Sequence, residues 1–315
     1  MRKILFALAL ATILLVATAS LALANGGPHG GFTATTDACA GCHRAHTATG
    51  PRLLTVDPNT VCLSCHGAAG SGANTNVEDG IYLSTRDDAG GDYNHGAGNT
   101  PDNSALLAGP FAAAGTTSAH TYDGTSVGAW GDAANRGVQG ATAMVMNCAS
   151  CHDPHGNANY RILNTTINAV AVAVAQVDEG AAKDYDTEQW GTGQSAVCAA
   201  CHGAYHRTAA GQGSTPDAGT YTHRVDMTWN DVSAGVTVGG NNPETVGYSA
   251  AAGDEVPLAE TGVNDTVVCQ TCHFPHGTTA TMSALADDPI IGGTNDSALL
   301  RLDNRGVCQA CHQKQ

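Results

Sequence analysis

The chain has 315 residues, with 13 basic and 28 acidic side chains and a formal net charge of −15. That sign argues against nucleic acid and against anionic lipid as partners. Its length would ordinarily suggest two domains, but glycine numbers 39, aromatics are only 5%, and much of the 42% hydrophobic fraction is alanine, which buries little area. Two ordinary apolar cores cannot be built from such a composition.

At the N-terminus, Arg2 and Lys3 precede the apolar run Ile4 to Val16, and Ala22-Leu23-Ala24 supplies an A-x-A cleavage site. This is the layout of a secretory signal peptide over residues 1–24, with the mature chain starting at Asn25. The apolar run is shorter than the roughly 20 residues that span a bilayer, and nothing later is apolar enough. No membrane span is expected in the mature chain. Without Arg2 and Lys3 the basic count falls from 13 to 11 against 28 acidic residues, a net of −17. The expected location is extracellular or on the cell surface, with the periplasm as the alternative.

All twelve cysteines fall into six CxxCH boxes: Cys39-Cys42-His43, Cys62-Cys65-His66, Cys148-Cys151-His152, Cys198-Cys201-His202, Cys269-Cys272-His273 and Cys308-Cys311-His312. Disulfides or zinc could use paired cysteines in an exported chain. Neither requires a histidine directly after every second cysteine. CxxCH is the attachment signature of c-type haem, with two thioether bonds to one porphyrin and the adjacent histidine on its iron. Six covalent haems c are therefore expected.

Eight histidines remain: His29, His46, His95, His120, His155, His206, His223 and His276. An internal repeat sorts them. A box extended to CxxCHxxH occurs at His43/His46, His152/His155 and His273/His276, and each is followed by a plain box at His66, His202 and His312. Between the two boxes lies an apolar step beside an arginine, Arg52-Leu53-Leu54, Arg161-Ile162-Leu163 or Leu299-Leu300-Arg301-Leu302. Each pair also has a lone histidine upstream, His29, His120 or His223. The chain thus reads as three di-haem modules, 25–85, 86–210 and 211–315, within one continuous haem-organised unit.

Axial ligands lie on opposite faces of a porphyrin, and three residues cannot carry the chain round it. His46, His155 and His276 must therefore serve a different haem from the box they follow, or none. With His29, His120 and His223 they complete six bis-histidine irons. His95 lies in a turn-like sequence, and His206 follows the second box of its module, where the other modules have no counterpart, so both are read as non-ligands. Met144, Met146, Met227 and Met282 follow no modular pattern and are not needed as ligands.

Pro154 and Pro275 bias the preceding residue towards extended backbone, so the helical turn of those boxes should end at His152 and His273. The first module has Ala45 there, and its redirection must come from elsewhere. Val170, Val172 and Val174 alternate within Ile167 to Val177, suggesting one strand, and Val236 and Val238 suggest a hairpin arm. Asp-rich stretches at Arg86 to Asp92 and Asp287-Asp288 lack EF-hand spacing and read as solvated loops. Arg44, Arg52, Arg161, Arg207, Arg224, Arg301 and Arg305 lie near boxes or ligands and are candidates to hold haem propionates. The expected fold is mostly irregular coil with short helices and a few short β-strands, wrapped around a stacked chain of six haems.

From Pro28-His29-Gly30-Gly31-Phe32 through the boxes at His43/His46 and His66, the chain resembles the doubled-CxxCH-motif multihaem cytochromes. Cys151-His152-Asp153-Pro154-His155-Gly156, Thr222-His223-Arg224-Val225 and Cys272-His273-Phe274-Pro275-His276-Gly277 look similar to the same group. With six boxes and export, the chain also resembles hexahaem extracellular cytochromes that polymerise into conductive filaments. That resemblance implies bis-histidine haems in a continuous chain and, at the subunit junction, a histidine of one protomer on a haem of the next. His29 stands outside the paired boxes near the mature N-terminus and is the candidate for that bridge.

The leading functional reading is an electron-transfer protein, not an enzyme. It would be an extracellular conduit working with redox partner proteins or extracellular acceptors, and it would form a homopolymer. A discrete periplasmic or surface-docked shuttle would share every motif. A reductase of small nitrogen or sulfur compounds would need an open iron position, which the histidine inventory does not leave.

Overall fold

The computed structural model describes residues 29, 39–68, 75–82, 109–131, 139–177, 189–206, 223–229, 243, 256–259, 265–283, 297–304 and 306–312. The signal segment, His95, the Val236/Val238 arm and both Asp-rich stretches lie outside them. Among the described residues the chain is mostly irregular, with short helices and two-stranded antiparallel ladders.

Five helices carry boxes: α1 (Pro58–His66), α2 (Cys148–Cys151), α3 (Gln194–His202), α4 (Cys269–Cys272) and α5 (Gly306–His312). The first box sits on a 3₁₀ turn, Cys39–Gly41. Asp57 caps α1 by accepting the Thr60 N–H at 3.0 Å, and Pro58 occupies its first turn, where a missing N–H costs nothing. Chain entry to α3 runs through Gly193 at φ 99°, where a Cβ would strike the Ala173 carbonyl. In α2 and α4 the N–H groups of Asn147 and Val268 donate to the hydroxyls of Ser150 and Thr271 at 3.0 Å each.

The two kinds of box differ in how they end. Plain boxes sit on helices that run through their histidine, whereas α2 and α4 stop before it, leaving His152 (φ −115°) and His273 (φ −120°) extended. Proline is not the whole cause, because His43 behaves alike with Ala45 two residues on. All three histidines form single antiparallel bridges, to Leu54, Leu163 and Leu300. The bridges rest on pairs of left-handed residues: Arg52 and Leu53, Arg161 and Ile162, Ala298 and Leu299, at φ between 46° and 63°. A left-handed non-glycine residue costs about 1–2 kcal/mol, so each pair must be held from outside. Arg44, Asp153 and Phe274 donate their N–H groups to Leu53, Ile162 and Leu299 at 2.8, 2.7 and 2.8 Å. The N–H groups of Thr55, Asn164 and Arg301 return to Cys42, Cys151 and Cys272 at 2.9, 2.8 and 2.9 Å. The repeat is therefore registered on the leucine, and in the third module Ala298 stands where the others have arginine.

The single strand expected over Ile167 to Val177 is interrupted. Thr166–Ile167 turns back on Val170–Ala171 through Asn168 (φ 47°) and Ala169 (φ 63°), and Gln176–Val177 pairs with Gln189–Trp190. A two-residue hairpin needs positive φ at both central positions, and this breaks the period of two. Val172 and Val174 still point inward, while Val170 is exposed beside the turn.

The apolar clusters are small. Tyr160, Leu163 and Val174 of the second module pack on Ala259 and Val268 of the third, and Val256 packs on Val307 and Ala310. Buried Asn159 knits the first of these together, donating to the carbonyls of Leu163 (3.0 Å) and Asn164 (3.2 Å) and accepting from the Val174 N–H (3.0 Å). Leaving a buried partner unsatisfied costs about 1–3 kcal/mol. Asn159→Ala is expected to destabilise the haem-loaded protein by roughly 3 kcal/mol in chemical denaturation followed by circular dichroism; an effect under about 0.5 kcal/mol would mean water replaces the side chain without loss.

Candidate haem sites

Two imidazoles bound to one metal, each at about 2 Å, hold their ring centres about 6 Å apart. Among the described residues five histidine pairs have this spacing. His43 faces His155 at 6.2 Å, His29 faces His66 at 5.9 Å, and His152 faces His276 at 6.3 Å. His120 faces His202 at 6.0 Å and His223 faces His312 at 6.3 Å. Each pair joins a box histidine to one of the sequence's spare histidines. The partner of a CxxCHxxH box comes from the next module, and the partner of a plain box is the lone histidine of its own module.

Of the twelve expected ligands, His46 and His273 stay apart; among the described residues neither ring faces another histidine. Both are exposed. His206 is occupied elsewhere, its Nε2 lying 2.6 Å from the Asp226 carboxylate. The His29 ring faces His66, and the Pro154 carbonyl accepts from its Nδ1 at 2.9 Å.

The same device orients most rings. Nδ1–H groups of His43, His152 and His273 donate to the carbonyls of Arg52 (3.1 Å), Arg161 (2.9 Å) and Ala298 (2.8 Å), the first residue of each left-handed pair. His120 donates to Pro275 and His202 to Trp130, each at 2.6 Å. A backbone acceptor on Nδ1 fixes the tautomer and leaves the Nε2 lone pair for a metal. Burial lowers the pKa of His120 and His152, and burial with His152 and His120 nearby takes His276 down to about 3. These rings are held neutral, as metal ligation requires. The buried His276 Nδ1 has no hydrogen-bond partner among the described residues, while its ring stacks on Phe111 at 4.3 Å.

None of the twelve cysteines is in a disulfide. No group of three or more His, Cys, Asp or Glu converges on an ion position among the described residues. Burial pushes the Cys272 thiol up to about 12 and the Cys151 and Cys311 thiols up to about 11. Helix α1 abuts α2 and α3 abuts α4 across the module boundaries. Two further contacts repeat at these junctions. Asn59 Oδ1 accepts the Cys148 N–H at 3.0 Å, and Ser195 Oγ accepts the Cys269 N–H at 3.2 Å; each acceptor lies three residues before its own box. Nothing in the sequence pattern singles out these two residues.

Two of the arginines near boxes have aromatic partners. Arg301 lies 4.1 Å from the Phe274 ring centre with its Nε donating to Gln270 at 2.6 Å, and Arg161 lies 5.5 Å from the Tyr160 ring. Burial brings Arg301 down to about 9, still a cation at neutral pH.

Residues 29–71 and 141–170 match the model of the family described as the doubled CXXCH motif. A comparison with curated proteins finds no match. Among solved structures, the chain is similar to the outer membrane cytochrome S filament from Geobacter sulfurreducens, at 17% identity and a TM-score of 0.42, covering 88% of this chain and 98% of that one. A second structure, of the OmcS nanowires from Geobacter sulfurreducens, gives the same identity and coverage with a TM-score of 0.45. The doubled CXXCH motifs mark covalent attachment of c-type haem with its iron.

The His43–His155 pair gives a direct test. His155→Ala is expected to keep the full haem complement but convert one haem from low-spin to high-spin in electron paramagnetic resonance; an unchanged low-spin spectrum would remove His155 from the ligand set.

Proposed function

We propose that this protein is an extracellular electron conduit with six covalent bis-histidine haems, which polymerises so that one subunit supplies a ligand to the next. The supporting observation is the rule of pairing. Each CxxCHxxH box takes its partner from the following module, His43 from His155 and His152 from His276. Among the described residues the box histidine His273 and the spare histidine His46 are the two expected ligands that face no other histidine, and both are exposed. In this reading His46 of one copy answers His273 of another. This transfers the bridging role from His29 to His46.

Haem c, when bound, supplies reversible one-electron chemistry at its iron. The chain's own contribution is to carry porphyrins on the twelve cysteines, to orient imidazoles through backbone carbonyls, and to hold consecutive boxes against one another. Interleaved ligation serves conduction because a segment that ligates one haem also attaches its neighbour. The formal net charge of −15 suits neither nucleic acid nor an anionic surface, and leaves redox proteins or extracellular acceptors as the partner class.

Mass spectrometry of the secreted protein is expected to give six haems per chain, and electron microscopy is expected to show filaments. His46→Ala should retain six haems and remain monomeric, whereas His29→Ala should still assemble while one haem loses its low-spin signal. A wild-type protein that is a monodisperse monomer at native concentration would replace the polymer with the discrete shuttle.

A further inference from the structure

A second contact accompanies the ligand exchange between modules, and its pattern extends to the subunit junction; the inference rests on the polymer reading above. In the first module the upstream His29 donates from Nδ1 to the carbonyl of Pro154, the residue immediately before His155. In the second, His120 donates from Nδ1 to the carbonyl of Pro275, immediately before His276. There the backbone joins in. The His120 N–H donates to the His276 carbonyl at 2.9 Å, and Ala119 and Ser118 pair with Gly277 and Thr278 in a short antiparallel ladder. Each clasp thus holds together the two spare histidines that face the two boxes of one module: His155 and His29 for the first, His276 and His120 for the second.

The third module breaks the pattern at the matching place. Its upstream His223 is exposed, and its Nδ1 turns back to the adjacent Arg224 carbonyl at 2.7 Å. At the other end of the subunit, the position equivalent to Pro154 and Pro275 is Ala45, also exposed. Among the described residues no hydrogen bond reaches the carbonyl of Ala45 or of His46. One end carries a donor turned back on itself, and the other carries the acceptors that this donor's counterparts use.

We propose that subunits are joined by a third copy of this clasp: His223 of one subunit donates from Nδ1 to the Ala45 carbonyl of the next, and from its N–H to the His46 carbonyl. The occupant of this surface is a second copy of the chain. The clasp completes the third module as it completes the first two, with His46 brought to His273 and His223 to His312. His223 therefore exchanges the Arg224 carbonyl for that of Ala45 in the neighbour on assembly, and the ring facing His312 is reset at the same moment.

Two measurements test this. Thr47→Cys with Arg224→Cys places thiols on either side of the proposed clasp without creating a new CxxCH box. A bismaleimide of about 10 Å reach is expected to convert filaments of the double variant into a denaturant-resistant ladder of multimers, with neither single variant doing so. Filaments that form but give no ladder beyond the single variants would overturn the clasp while leaving the polymer intact. A wild-type protein that forms no filaments would defeat both. Should the variant not assemble, cryo-electron microscopy of unmodified filaments decides: the clasp requires His223 Nδ1 on the Ala45 carbonyl of the neighbour. Retention of the Arg224 contact within a joined filament would exclude it.

Discussion

An iron in a porphyrin plane takes its two axial ligands from opposite faces, and no short stretch of chain can reach both. On the proposed ligation this constraint governs the architecture. Each box would need its second histidine from another segment, and the five pairs seen among the described residues are separated by between 37 residues (His29 to His66) and 124 residues (His152 to His276). Ligation would then do the work that a hydrophobic core does in an ordinary domain. The clusters around Tyr160, Ile167 and Val256 are too small to organise this chain by themselves.

Ligand rings must also be aimed, and here the backbone substitutes for side chains. The left-handed pairs at Arg52, Arg161 and Ala298 point a carbonyl at the Nδ1 of the box histidine three times over. Spending conformational energy on non-glycine residues in that region is characteristic of functional sites, where surrounding contacts over-determine the geometry. Arginine occupies the first position of the pair in two modules and alanine in the third, so the backbone and not the guanidinium defines the device.

Partition into modules by sequence does not coincide with separation in space. Helix α1 of the first module abuts α2 of the second, and α3 of the second abuts α4 of the third, with Asn59 and Ser195 accepting the N–H groups of Cys148 and Cys269 across the two junctions. The first two CxxCHxxH boxes each face a histidine of the following repeat, whereas among the described residues His273 faces none. The proposed head-to-tail polymer would answer that position with a contact of the same kind.

The sequence alone determined the chemistry: the six boxes, the extended CxxCHxxH repeat, the lone upstream histidines and the export layout are all local patterns, legible because haem attachment requires fixed spacing. It also excluded pairing of a box with its own trailing histidine. It could not say which spare histidine meets which box, as the approach of the His29 ring to His66 within the chain illustrates. It read Ile167 to Val177 as one strand because a left-handed Asn168-Ala169 turn leaves no composition signal. It could not register the third apolar step, since Ala298 hides the repeat that Leu54, Leu163 and Leu300 reveal once their bridges are seen. Those features depend on contacts between residues far apart in the chain, and only the tertiary structure brings them together.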